Sequence, residues 1–270
     1  MSVAPGFTVA ALQMVSTPQV TENMATACRL IADAASRGAQ LLLLPEYWAI
    51  LGMQDTDKVA QAETPGSGPM QDFLRDIAQQ HQVWLIGGTL PLQSSETGKV
   101  LNTTLVYAPT GECIARYDKM HLFGFSKGDE NYDEARTISE GNSVSFFEAP
   151  FGRVGLSVCY DLRFPELYRA LGDCTLIVVP SAFTYTTGEA HWEVLLRARA
   201  IENQCYVLAA AQGGVHVNGR RTWGHSMLVD PWGEVCAVLE EGEGVVIGEV
   251  NAALIARVRE SLPALRHRRL

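Results

Sequence analysis

The sequence predicts an α/β protein, a four-layer αββα sandwich in which two mixed sheets pack face to face under covering helices. Three observations carry that expectation. Apolar runs of strand length alternate with amphipathic helical segments, a hairpin interrupts the alternation at residues 103–117, and the last third of the chain is rich in strands. Alternation alone points to a parallel doubly wound sheet, but the hairpin and the C-terminal strands demand antiparallel pairing. Two mixed sheets accommodate both.

Element by element, the continuous apolar run Phe7 to Met14 reads as the first strand. Met24, Cys28, Ile31 and Ala35 recur at spacings of three and four, which predicts a helix buried along that stripe and ended by Gly38. Four successive leucines, Leu41 to Leu44, predict a short strand covered on both faces. Glu46 falls just past its end. Met70 to Gln80 reads as a helix and Val83 to Gly87 as a strand. Thr103 to Tyr107 and Cys113 to Tyr117 flank Pro109-Thr110-Gly111 as a hairpin whose second strand runs into Lys119. Residues 122–145 are polar and without period, which predicts a long irregular stretch, and loops of that length in compact domains tend to be functional.

Val154 to Val158 predicts a buried strand and Tyr160 to Leu171 a helix with Pro165 near its first turn, leaving Cys159 at the junction. Leu176 to Val179 reads as a strand and His191 to Asn203 as a helix with Val194, Leu195, Ala198 and Ile201 on one face. Tyr206 to Ala211, Met227 to Val229, Val235 to Val238 and Val245 to Val250 complete the strands, with a turn at Pro231-Trp232-Gly233. No repeat, linker or low-complexity segment divides the chain, so a single domain over residues 1–270 is expected.

Composition narrows the function classes. With 47% hydrophobic and 19% charged residues the chain can bury a sizeable core and is not disordered. A formal charge of −9 argues against nucleic acid as a partner, because phosphate binding is driven by cations. Arg266, Arg268 and Arg269 read as a solvated tail. Six cysteines form no CxxC pair, and four sit in apolar runs that read as buried, so free thiols in a reducing compartment, the cytoplasm, are expected. The opening MSVAPGFTVAALQM lacks the cationic stretch and cleavage site of a signal peptide, and no apolar run approaches the roughly 18 residues of a membrane span. The six histidines show no HExxH or comparable ligand spacing, so no metal is expected.

The chemistry concentrates at strand ends. A cysteine between a buried strand and a helix is placed for nucleophilic attack, since helix N-terminal N–H groups stabilise a thiolate and a developing oxyanion. Cys159 has that position, although cysteine is also among the most buried residue types. Glu46 and Lys119 emerge from two other sheet ends, where ligand sites gather. Taken singly each reads as a surface charge, and the chain order alone does not show that they converge. A Cys-His-Asp hydrolase also uses a strand-Cys-helix elbow, but Tyr160 and Asp161 stand where that elbow wants a glycine at the second position. A catalytically silent binding protein that merely keeps the fold is the reading from another class.

LLLLPEYW around Glu46, RYDKMHLF around Lys119 and GLSVCYDLRFPELYR around Cys159 resemble, in order, the three signature segments of the nitrilase superfamily. The similarity continues through AHWEVLLRARAIENQCYVLAAAQ and GHSMLVDPWG and covers nearly the whole chain. The resemblance implies the αββα fold and a Glu-Lys-Cys triad, with Glu46 as general base, Lys119 as electrophilic stabiliser and Cys159 as nucleophile. It further implies Glu134 as a second carboxylate, matched by its spacing to Glu140-Gly141 in preference to Glu130. A thiol of ordinary pKa is only a few per cent ionised near neutrality, so a carboxylate that accepts its proton is useful. The Lys119 ammonium and the Tyr160 N–H would form an oxyanion hole, and one such donor is worth about 2.7 to 4 kcal/mol. No metal or organic cofactor is needed.

The triad does not choose a substrate among nitrilases, aliphatic amidases, carbamoyl-amine hydrolases and ω-amidases. PSAFTYTTGEAHWEVLLRARAIENQCYV, GHSMLVDPWG and LPALRHRR are most similar to the branch of deaminated glutathione amidases, which implies an enzyme cleaving the amide between a 2-oxoglutarate unit and cysteinylglycine; members of that branch can carry a fused nucleotide-hydrolase domain, and with the sequence ending at residue 270 the standalone form is expected. The alternative is an ω-amidase acting on 2-oxoglutaramate. Either substrate is a small anionic amide, and a protein of charge −9 must supply local cations to bind it. Arg163 is the first candidate, with Tyr185, Thr187 and the Arg220-Arg221 pair behind it. By the same resemblance a homodimer is expected, built on the helices after Cys159 and around His191 to Asn203.

Overall fold

The computed structural model describes residues 6–128 and 130–269. The expectation for residues 1–5 therefore lies outside the described residues, as does Asp129 within the 122–145 segment. Among the described residues, β1 (Phe7–Gln13), β2 (Leu41–Leu43), β3 (Trp84–Ile86), β4 (Leu90–Gln93), β5 (Val100–Tyr107) and β6 (Cys113–Asp118) lie in one sheet. β7 (Gly124–Lys127) and β8 (Glu130–Asp133) pair only with each other, and β9 (Ile138–Ser139) joins the first sheet beside β5. The second sheet runs in the order β10 (Phe146–Ala149), β11 (Gly152–Leu156), β12 (Leu176–Ser181), β13 (Tyr206–Ala211), β14 (Ser226–Val229) and β15 (Val235–Leu239). β16 (Gly244–Val250) returns to the first sheet, antiparallel to β1. Both sheets are mixed: β1, β2 and β3 are parallel, as are β11, β12 and β13, with antiparallel strands flanking each set.

The period-2 alternation of the strands builds the layers. Val9, Ala11, Leu41 and Leu43 face the second sheet in one core. Their neighbours Ala10, Leu12, Leu42 and Leu44 face the other way, against Ala27, Leu30 and Ile31 of α1 (Val20–Ser36) and Leu74 and Ile77 of α3 (Pro69–His81). Between these helices in the chain lies the one-turn α2 (Asp57–Ala60). On the far side, Leu167 of α4 (Pro165–Ala170) and Trp192, Leu196 and Ala200 of α5 (Tyr185–Asn203) cover the second sheet. α6 (Ala252–Ser261) is capped by Asn251, whose side chain accepts from the Ala253 and Leu254 N–H groups. The four layers are those expected, and no described helix is long and apolar enough to cross a membrane.

Several local expectations are corrected. The buried stripe of α1 is Asn23, Ala27, Leu30, Ile31 and Ala34, and Cys28 is exposed. Asn23 turns inward because its amide donates to the Thr17 and Ala49 carbonyls, rotating the stripe by about one residue. Cys113 and Cys236 are exposed too, so only Cys159, Cys174 and Cys205 are buried. The helix expected over Tyr160 to Leu171 is interrupted: a 3-10 turn spans Cys159–Arg163, and Phe164 is non-helical at φ −114° and ψ 89°. Pro165 is the cause, since a proline disfavours the α conformation in the residue before it. α5 begins at Tyr185 rather than His191, capped by the Thr184 hydroxyl.

On α5 the expected apolar face is also displaced. Val194 and Ile201 are 68% and 48% exposed, while Arg199 and Asn203 are buried. Arg199 satisfies itself by donating twice to the Leu162 carbonyl and pairing with Glu202, which locks the opposite face inward. The stretch 122–145 is not uniformly irregular but contains the β7–β8 hairpin, a 3-10 turn at Glu134–Arg136 and β9. The β7 and β8 strands are largely exposed and pair only with each other, and β9 is two residues long, so no apolar alternation is left to read.

Candidate active site

Glu46 ends the leucine run and folds back over the sheet edge because Tyr47 takes up a left-handed conformation, φ 55°, and donates its N–H to Thr89 Oγ1. Gly88 permits the close approach, since a Cβ there would collide with the Pro45 carbonyl oxygen. Lys119 follows β6 directly, its N–H bonded to the Asn102 carbonyl and its own carbonyl accepting from Gly141. Gly141 is likewise required, because a Cβ would strike the Asp118 carbonyl. Cys159 follows β11 and is itself left-handed at φ 49°, a strained conformation for a residue with a side chain.

These three elements bring their side chains together. The Lys119 side chain is fully buried, and its Nζ donates to Glu46 Oε1 at 2.8 Å and to Glu134 Oε1 and Oε2 at 3.0 and 2.8 Å. Glu46 is held from two further sides: Asn102 Nδ2 donates to Oε1 and the Ala182 N–H to Oε2, each at 2.9 Å. Glu134 accepts from the Tyr47 hydroxyl and the Phe123 N–H, each at 2.8 Å. Glu46, Glu134 and Cys159 line one pocket of about 270 Å³ with Tyr160, Arg163, Thr187, Phe183 and Arg220.

The electrostatics follow from two carboxylates facing one ammonium. Burial pushes the Lys119 pKa down, but the charges of Glu134 and Glu46 outweigh it and hold the ammonium above its ordinary value. Burial pushes Glu134 up, and the Lys119 charge and hydrogen bonds overcome it to hold the carboxyl below its usual range. The Cys159 thiol is raised well above normal, first by burial and then by the Glu46 charge, with Lys119 opposing. The expected thiolate stabilised by a helix N-terminus is therefore corrected. Only a 3-10 turn starts at Cys159, and the resting group is a thiol that needs a base at the moment of attack.

Arg163 has no acid within ion-pair distance among the described residues; it contacts His191 Nδ1 at 3.2 Å and lies over the Tyr160 and Phe183 rings. The Thr187 hydroxyl shares a hydrogen bond with Thr184 Oγ1 at the foot of α5. Tyr185 does not line the pocket: its ring packs edge-on to Trp223 with the Arg221 guanidinium 3.7 Å from its centroid. Arg220 does line it, whereas Arg221 reaches the exposed Glu241. Sequence reasoning missed Tyr47, Asn102, Phe123 and Ala182. The signal for Tyr47 was its place beside Glu46; for the others only folding supplies it. His121, the one histidine in the three signature segments, is bonded to Asp161 at 2.7 Å and stacked on Phe164, and is not among the pocket-lining residues.

A four-layer αββα sandwich with a buried carboxylate–ammonium–carboxylate cluster beside a strand-end cysteine defines a class of hydrolase. Comparison with known proteins agrees with it. The carbon-nitrogen hydrolase family model matches residues 8–260. A deaminated glutathione amidase of Synechocystis sp. is 45% identical over 97% of this chain and 98% of its own length, and the omega-amidase of Homo sapiens is 37% identical over 97% and 95%. The crystal structure of the C. elegans NitFhit protein superposes with a TM-score of 0.89 at 36% identity, covering 99% of this chain and 66% of that longer one. This chain thus spans about two thirds of the NitFhit protein. A nitrilase-superfamily protein of Saccharomyces cerevisiae gives a TM-score of 0.87 at 29% identity, over 99% and 98%. The chain belongs to the carbon-nitrogen hydrolase family.

Proposed function

We propose that the protein hydrolyses deaminated glutathione to 2-oxoglutarate and cysteinylglycine through a thioester on Cys159. The observation that supports it most is the buried Lys119 ammonium gripped between Glu46 and Glu134, the two carboxylates that line the pocket holding Cys159. Cys159 Sγ attacks the amide carbonyl carbon as Glu46 takes the thiol proton. The carbonyl oxygen becomes an oxyanion beside the Lys119 charge and the Tyr160 N–H. All three ammonium hydrogens are committed to carboxylates in the resting site, so Lys119 serves first as a fixed positive charge.

Collapse of the tetrahedral adduct breaks the C–N bond, and Glu46 returns the proton to the departing amine. Water then attacks the thioester, giving its proton to Glu46, and the thiol is restored as the acid leaves. Glu134 holds Lys119 in place throughout. Arg163, unpaired with any described acid, suits the carboxylate of the acyl half, and Thr187 lies on the same wall. The second reading is an ω-amidase acting on 2-oxoglutaramate; it rests on the same catalytic residues and on the similarity to the human enzyme of that name. Turnover of the two amides by the purified protein separates them: a higher kcat/KM on deaminated glutathione is expected, and a strong preference for 2-oxoglutaramate overturns the first reading.

The homodimer belongs to the same proposal. Val194 and Ile201 leave an apolar strip on the exposed face of α5, and the turn bearing the 57% exposed Trp232 packs beside it, Arg197 Nε donating to the Gly233 carbonyl. Elution as a dimer, lost on Val194→Glu, is the expected result of size-exclusion measurement.

A further inference from the structure

A second, wider pocket of about 550 Å³ opens beside the catalytic one and shares Phe123, Glu134 and Arg220 with it. Its other walls include Tyr47, Tyr132, Asn218 and Lys58. Two cations therefore face one cavity. Lys58, on α2, has a side chain only 14% exposed; its Nζ lies 3.2 Å from Thr137 Oγ1 and 3.9 Å from the 72% exposed Asp55. Arg220 donates one Nη to the Ala182 carbonyl and lies 5.2 Å from the Tyr132 ring centroid. Its buried Nε has no hydrogen-bond partner, and no described acid lies within ion-pair distance of it. Burial lowers the Lys58 pKa; the Asp55 and Glu134 charges oppose that, and the like charges of Arg220 and Lys119 add to it more weakly. Asp55 and Asp133 also border the cavity, but both are exposed at its rim and screened by water.

We infer that this outer pocket is the subsite for the leaving half of the amide, and that Lys58 and Arg220 bind a carboxylate carried by that half. The inference rests on the thioester reading above. In that sequence the amine half departs before water attacks, while the acyl half stays bonded to Cys159, which is 7% exposed in the narrower pocket. The half that leaves first has to lie on the wider side. A leaving group that is a short peptide with a free C-terminal carboxylate brings a negative charge to Lys58 and Arg220, whereas ammonia from a primary amide brings none.

The test compares kcat/KM on 2-oxoglutaryl-cysteinylglycine with kcat/KM on the same amide ending in a neutral carboxamide, for the wild type, Lys58→Met and Lys58→Arg. The wild type is expected to favour the carboxylate by about tenfold or more, as for one charge-assisted contact. Lys58→Met should bring that ratio close to one, and Lys58→Arg should restore most of it. An equal loss on both amides in Lys58→Met, or a wild type indifferent to the carboxylate, overturns the subsite while leaving the thioester reading intact. Failure of the wild type to hydrolyse either amide overturns both.

Discussion

Asp161 and His121 fasten the two halves of the catalytic site to each other. Asp161 Oδ1 accepts from the His121 N–H at 3.1 Å and from its ring Nδ1 at 2.7 Å. Oδ2 accepts from the Tyr117 hydroxyl at 2.7 Å and the Val158 N–H at 2.8 Å. Tyr117 and His121 bracket Lys119, and Val158 and Asp161 bracket Cys159, so one fully buried carboxylate sets the ammonium relative to the thiol. The left-handed strain at Cys159 persists because this clamp over-determines it.

Asp161→Asn removes the charge and sets an NH2 group against donors. A buried donor left unpaired costs about 1 to 3 kcal/mol, so the urea midpoint should fall by that order and kcat should drop with a smaller change in KM. Tyr117→Phe deletes one bond and should cost about 1 kcal/mol. An Asp161→Asn protein with wild-type stability and kcat contradicts the clamp.

The order of charges around Cys159 predicts opposite shifts in its reactivity. Glu46 and Glu134 raise the thiol pKa and Lys119 lowers it. Alkylation of Cys159 should therefore accelerate at a lower pH in Glu134→Gln than in the wild type, and at a higher pH in Lys119→Met. Glu134→Gln should react faster with the alkylating agent near neutrality yet turn over substrate more slowly, because Lys119 loses an anchor. Profiles that coincide for all three proteins count against this account of the electrostatics.

His216 is buried and neutral, its ring bonded to the Ser16 carbonyl and Thr222 Oγ1, and burial lowers its pKa to about 4. A folded-state pKa below the unfolded value of about 6.5 means that the unfolded chain binds the extra proton between those limits. Stability from this group is thus complete above about pH 6.5 and is lost as pH falls toward 4, by up to about 3 kcal/mol. Urea melts at pH 8 and pH 5 should show a smaller pH-dependent loss in His216→Gln than in the wild type. An unchanged pH slope removes His216 from the explanation.

Glu46, Lys119 and Cys159 each stand just past a strand, but only the resemblance of their flanking segments to a family's signatures grouped them; folding brings Lys119 onto Glu46 and puts Glu46 and Cys159 in one pocket. Glu134 was legible only through the signature spacing, since its own segment carries no period. The face of α5 was misread because Arg199 and Asn203 are buried by hydrogen bonds, which hydrophobic periodicity does not register. Tyr185 was expected near the substrate on the strength of its segment, but the first turn of α5 directs it to Trp223. Lys58, Tyr132 and Asn218, the walls of the outer pocket, come from separate parts of the chain with no local pattern that links them.

The central claim is that an acyl group passes through Cys159, and trapping with hydroxylamine tests it most directly. The wild type supplied with deaminated glutathione and hydroxylamine should form the 2-oxoglutaryl hydroxamate alongside free acid. Cys159→Ala should form neither while still folding to the wild-type urea midpoint within about 1 kcal/mol, since the change removes a single buried sulfur. Full turnover by Cys159→Ala contradicts the account.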